Sequence, residues 1–181
     1  MNELIEEIRQ AFAWRPYPGD NNIVRCTYEK RYGGTMDGPC WECAEMQEYF
    51  CGKSWRDLKS DELFYYGQTD VLLSIKGYCY FLPAYLIASI KEPEKLDACV
   101  EYLSFRFGAK EDDATGSMRL SEILAELTIE ECAACLDYFK FDLSRWGEDF
   151  GGWQQRAIAN LTEAQEAKAT SARTSNRRRS K

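Results

Sequence analysis

Apolar residues recur three or four positions apart along most of this chain, the spacing that lines one face of an α-helix. Leu4, Ile5, Ile8, Ala11 and Phe12 define the first such face, with Asn2 as its expected cap and Glu3, Glu6 and Glu7 suited to its positive end. Pro16 and Pro18 stop it. Pro39 opens a second helix that ends before Gly52, with Cys40, Cys43, Ala44, Gln47, Phe50 and Cys51 on one face. Ser54 and Asp57 suggest a short capped element bearing Trp55 and Leu58. Ser74 is expected to cap an apolar stretch from 75 to 91, in which Pro83, lacking an amide hydrogen, should kink or restart the helix. Pro93 opens the next, where Leu96, Cys99, Val100, Leu103 and Phe107 keep the period up to Gly108. Leu120, Ile123, Leu124 and Leu127 mark another. Thr128 and Glu131 then form a capping box for a helix carrying Ile129, Cys132, Leu136 and Phe139. Trp153, Ala157 and Leu161, four apart, place a last helix from Gly152 to about Glu166.

Between these helices, residues 15–38 form a long connection rich in turn signals. Within it Ile23-Val24 and Cys26-Thr27-Tyr28 can form one short β-hairpin near residues 23–35. Residues 110–116 predict an acidic loop. Six or seven helices with at most a small strand pair make the expected fold an all-α, compact helical domain without internal repeats.

The C-terminus departs from this pattern. Residues 168–181 read KATSARTSNRRRSK, with no acid and no large apolar side chain, and predict a disordered basic tail to a single acidic domain over residues 1–167. The tail holds six of the 23 Lys and Arg and none of the 30 Asp and Glu, so the body carries 17 bases against 30 acids. Its formal charge is −13, although the whole chain has −7. Such a body repels nucleic acid and anionic membranes and attracts a protein partner with a basic surface. Only the tail, through Arg177, Arg178 and Arg179, carries the charge to touch nucleic acid or lipid. The opening MNELIEEIRQAF does not resemble an export signal, and the longest uncharged run, 77–90, is shorter than the roughly 20 apolar residues that cross a bilayer. The expected location is cytoplasmic, with eight reduced cysteines.

The chain has no histidine, which removes the commonest general base and the commonest metal ligand. Gly-rich phosphate loops, a Ser nucleophile elbow and HExxH are also missing, so neither an enzyme nor a cofactor is expected. Two Cys-x-x-Cys pairs, Cys40 with Cys43 and Cys132 with Cys135, have the spacing of zinc ligands, because four thiolates can hold zinc tetrahedrally. The same spacing serves a redox dithiol, for which Cys40 at a helix start is best placed. Both pairs nevertheless sit inside amphipathic helices beside Phe50, or beside Leu136 and Phe139, where a core takes small apolar residues. Core packing is the favoured reading, and zinc or thiol-redox chemistry is the alternative. Glu42 with Glu45, Glu45 with Glu48, and Glu130 with Glu131 have acid–base spacing, but a solvated face is the favoured reading in so acidic a chain. The turn from Trp14 to Asn22 joins two aromatics, two prolines and several polar groups, the make-up of a contact loop. It also reads as a helix stop in which Asp20 and Asn21 satisfy neighbouring amides. The candidate partner contacts are Trp14, Tyr17, Asp20, Asn21, Trp41, Glu45 and Trp55.

Three segments in order, YPGDNNIV at 17–24, FCGKSWRDL at 50–58 and YFLPAYLIASI at 80–90, resemble an uncharacterised bacterial domain family of unknown function over about residues 1–165. The resemblance implies a helix-rich architecture and brings no activity with it; the Gly-rich stretch 32–38 is additional to that pattern. In size and charge the chain also resembles the immunity and accessory proteins encoded beside bacterial toxins. The functional expectation is therefore a non-enzymatic protein-binding module, of the immunity or accessory kind, that binds a basic partner such as a toxin.

Overall fold

A computed structural model describes residues 1–25, 41–67, 72–110, 119–147 and 150–179. Among the described residues the fold is all-α. Its eight α-helices are α1 (Asn2–Ala11), α2 (Trp41–Phe50), α3 (Ser60–Gly67), α4 (Ile75–Lys91), α5 (Asp97–Phe107), α6 (Leu120–Glu126), α7 (Ile129–Trp146) and α8 (Trp153–Arg179).

Helix α4 is the centre, because it is apolar on every side and every residue from Gly77 to Ile90 is buried. Ser74 caps its start, its Oγ accepting from Gly77 N at 2.9 Å. Pro83 does not restart the helix, which runs from Ile75 to Lys91 as one element. Helices α1, α3, α5, α6 and α7 all pack on α4, and α8 closes the far side against α5 and α7. Phe12, Phe50, Phe81, Phe107 and Phe139 are fully enclosed, each stabilising the fold by about 2–3 kcal/mol through burial.

Three arginines and one asparagine close the C-terminal ends of helices, where backbone carbonyls lack intrahelical donors. Arg145 of α7 donates to Ser89 O at 3.3 Å and Ile90 O at 3.0 Å at the end of α4. Arg156 of α8 donates to Gly108 O at 3.1 Å, and Asn160 donates to Phe107 O at 2.8 Å, at the end of α5. Arg15 reaches Glu126 O at 2.9 Å at the end of α6.

The structure alters four local expectations. Helix α1 begins at Asn2 itself, with Met1 in the cap position and no side-chain cap. Residues 93–95 form a turn and α5 starts at Asp97, after Leu96 N has bonded back to Glu92 O. The expected hairpin lies mostly outside the described residues; within them Val24 pairs with Leu73 in one antiparallel bridge. There Arg25 N donates to Leu72 O and Ser74 N to Ile23 O, both at 2.8 Å. Finally, the expected disordered tail continues α8 as helix to Arg179. Lys168 Nζ still touches Ala125 O at 3.5 Å, whereas residues 170–174 are exposed. Helix propagation adds one hydrogen bond per residue to a formed nucleus, so backbone order outlasts side-chain packing there.

Candidate functional site

Phe12, fully buried, pins the end of α1, and the chain then turns as Ala13 N bonds Gln10 O at 3.2 Å and Arg15 N bonds Phe12 O at 3.3 Å. That turn sends the next two side chains in opposite senses. Trp14 is 93% exposed. Arg15 folds inward, its side chain 7% exposed, against a Glu131 side chain that is 2% exposed.

Arg15 Nε donates to Glu131 Oε1 at 2.7 Å, its Nη2 to Glu131 Oε2 at 2.5 Å, and its Nη1 to Glu126 Oε1 at 3.3 Å. Burial alone would lower the Arg15 pKa; the hydrogen bond and the charge of Glu131 outweigh it and raise the value. Glu131 also completes the capping box of α7, accepting from Thr128 N at 2.8 Å while its own amide donates to Thr128 Oγ1 at 3.2 Å.

Above this pair, α1 and the first turns of α7 leave a groove of about 730 Å3. Glu7, Gln10 and Trp14 form one wall, and Glu130, Ala133 and Asp137 form the other. Five carboxylates line the groove, those of Glu7, Glu126, Glu130, Glu131 and Asp137, against the single guanidinium of Arg15. That guanidinium is held by Glu131 and Glu126. Glu7 and Glu130 have no ion pair among the described residues, and Asp137 meets only Lys140, at 3.3 Å between half-exposed side chains. Glu130 and Glu131 sit in the first turn of α7, where the helix dipole favours negative charge.

Of the sequence-predicted contacts whose side chains are described, only Trp14 lines this groove. Tyr17 and Asp20 instead build a junction. Tyr17 Oη donates to Asp20 Oδ1 at 2.5 Å and accepts from Gly52 N at 2.8 Å, and its ring meets Tyr80 edge-on at 5.4 Å. Gln47 Nε2 adds a bond to Asp20 O at 2.6 Å. Desolvation, then the bond to Asp20, pushes the Tyr17 phenol up to about 12, while the phenol and then Cys51 hold Asp20 below its ordinary value. The segments 17–24, 50–58 and 80–90 thus touch one another, with Phe50 and Phe81 4.6 Å apart beneath them. Asn21 is exposed beside this junction. Trp41 is the first residue of α2, and its side chain lies outside the description. Glu45 is half-buried, within 3.4 Å of Tyr65 Oη.

Trp55 is a correction. It is 2% exposed and belongs to the core, because the short turn from Trp55 to Asp57 folds its indole under α4 while Arg56 covers the ring at 4.3 Å. Sequence reading missed Glu7, Arg15, Glu126, Glu130 and Asp137 as one site. The contact joins residues more than 100 positions apart, and nothing local to Arg15 marks which of 30 acids it meets.

The cysteines of the second pair are core residues: Cys132 and Cys135 are fully buried in α7, as is Cys79 in α4. Burial pushes the Cys132 thiol up to about 11 and Cys79 to about 12, and Cys135 rises well above the ordinary range. Cys43 is buried in α2, and Cys40 lies outside the described residues. Cys51, expected on the same buried face, is exposed just past the end of α2. Among the described residues no group of three or more His, Cys, Asp or Glu is arranged to hold a metal ion. Among them, too, no helix is long and apolar enough to cross a membrane.

Comparison of the chain with protein-family models, curated proteins and solved structures yields no match.

Proposed function

We propose that this chain is a non-enzymatic protein-binding module whose groove between α1 and α7 receives a basic segment of a partner protein. The observation that carries the reading is Trp14, 93% exposed at the rim of a groove where carboxylates outnumber guanidinium five to one. An indole left in water gains nothing for folding, whereas over a Lys or Arg side chain it contributes about 0.5–2 kcal/mol. Glu7, Glu130 and Asp137 supply rim charges worth about 0.2–1 kcal/mol each, and the −13 body adds long-range attraction. A basic toxin held by an acidic immunity or accessory protein is the instance that size and charge resemble.

Titration with a hexa-arginine peptide at low salt tests the reading. Binding should be saturable and should weaken as salt rises, because the Debye length shrinks to about 8 Å near physiological ionic strength. Trp14→Ala and Glu130→Lys should each weaken it, and Glu101→Lys, at an exposed position of α5, should leave it nearly unchanged. Equal losses from all three substitutions would mean that the groove has no special part in binding.

A further inference from the structure

Helix α1 separates two surfaces of opposite charge. Arg9 lies about 200° round the helix from Glu7 and faces a second cleft, of about 350 Å3, between α1, the Trp55 turn and α4. Among the described residues three cations line this cleft, Arg9, Arg56 and Lys91, and no carboxylate does. The floor is apolar, formed by Ala84, Ile87 and Ala88 of α4. On a body with 17 bases against 30 acids, such a grouping runs against the composition.

These cations are largely uncommitted. Arg145 has already taken the carbonyls of Ser89 and Ile90, so the end of α4 does not occupy Lys91, which is exposed and has no ion pair among the described residues. Arg9 meets only Glu6, at 3.7 Å, with both side chains about half exposed. Arg56 spends Nη2 on Ala13 O at 3.0 Å and lies over the Trp55 ring, leaving Nε and Nη1 without an acceptor among the described residues. Trp55 itself lines the cleft, and its buried indole Nε1 has no hydrogen-bond partner among the described residues. Ser60 Oγ donates to Glu92 at 2.5 Å, and that carboxylate is in turn tied to Lys95 at 3.3 Å.

We propose that this cleft binds a small phosphate monoester that carries an apolar group. Two guanidinium groups and an ammonium match a dianionic phosphate, Arg through its planar fork and Lys as a point charge. The alanine and isoleucine floor takes the ester's apolar part, and the volume lies in the range of small-molecule sites. This site is independent of the acidic groove, so either reading stands if the other fails.

Phenyl phosphate and inorganic phosphate, titrated separately by calorimetry into the full chain, decide the matter. Phenyl phosphate should bind one site with a Kd of about 1 mM or tighter. Inorganic phosphate, lacking the apolar group, should bind at least about fivefold more weakly. The double variant Arg9→Gln/Lys91→Gln alters exposed side chains, so circular dichroism should match the parent while phenyl phosphate affinity falls at least about tenfold. Lys91→Gln alone serves if the double variant fails to fold. Glu130→Lys in the acidic groove should leave this binding in place. Absence of saturation, equal affinity for the two phosphates, or affinity unchanged by the cleft substitutions would overturn the proposal.

Discussion

Arg15 and Glu131, 116 positions apart, meet through two parallel hydrogen bonds of 2.7 and 2.5 Å between nearly enclosed side chains. The pair locks the end of α1 to the start of α7, and so it fixes the floor of the acidic groove. Arg15→Ala leaves a buried carboxylate without its counter-charge and should cost about 3–5 kcal/mol in urea unfolding. Arg15→Met with Glu131→Leu removes both charges and should recover part of that loss, less about 1 kcal/mol for the lost cap. A single variant as stable as the parent would show that the pair does not hold the two helices together.

The bridge between residues 23–25 and 72–74 depends on a close backbone approach at Gly77. A Cβ there would lie 2.2 Å from Ile23 O, a contact that only a backbone shift can relieve. Gly77→Ala should therefore destabilise the fold by about 1–3 kcal/mol despite its better helix propensity. A rise in the urea midpoint would contradict this.

Alkaline pH should loosen the fold. The Cys132 and Cys79 thiols titrate at about 11 and about 12 when folded, against an ordinary value of 9.0. The unfolded chain therefore releases these protons first as pH rises. The stability is fully present below pH 9 and is lost between 9 and 12, at a limiting slope of about 1.4 kcal/mol per unit for each such thiol. Urea midpoints should fall from pH 8 to pH 10.5, and Cys132→Ala should reduce the slope. A midpoint that holds steady would contradict the assignment.

The same burial predicts the order of thiol labelling. Iodoacetamide followed by peptide mass spectrometry should modify exposed Cys51 in the native protein and reach Cys79, Cys99, Cys132 and Cys135 only on unfolding. Fast labelling of Cys132 or Cys135 would favour the thiol-redox alternative over core packing.

Helices were legible where the signal is local. Thr128 with Glu131 announces the start of α7 three residues apart, and Ser74 announces α4, because caps act within one turn. Pro83 was readable as a missing donor, but not as tolerated, because the packing of α4 on all sides outweighs one lost backbone bond. Trp55 sits in a three-residue turn without periodic neighbours, so nothing in its surroundings distinguished a core indole from a surface one. The exposure of Trp14 was legible, because Pro16 and Pro18 end its helix and leave it outside any apolar face. Its groove was not, because the facing wall comes from residues 126–137.

The central claim is that a basic segment binds beside Trp14. Adding hexa-arginine to isotope-labelled protein and following the indole N–H signals of the five tryptophans tests it most directly. The Trp14 signal should shift with the amides of residues 128–137 and saturate together with them, while that of buried Trp55 stays in place. Shifts spread over the exposed acids of α5 and α8, with the Trp14 signal unmoved, would contradict it.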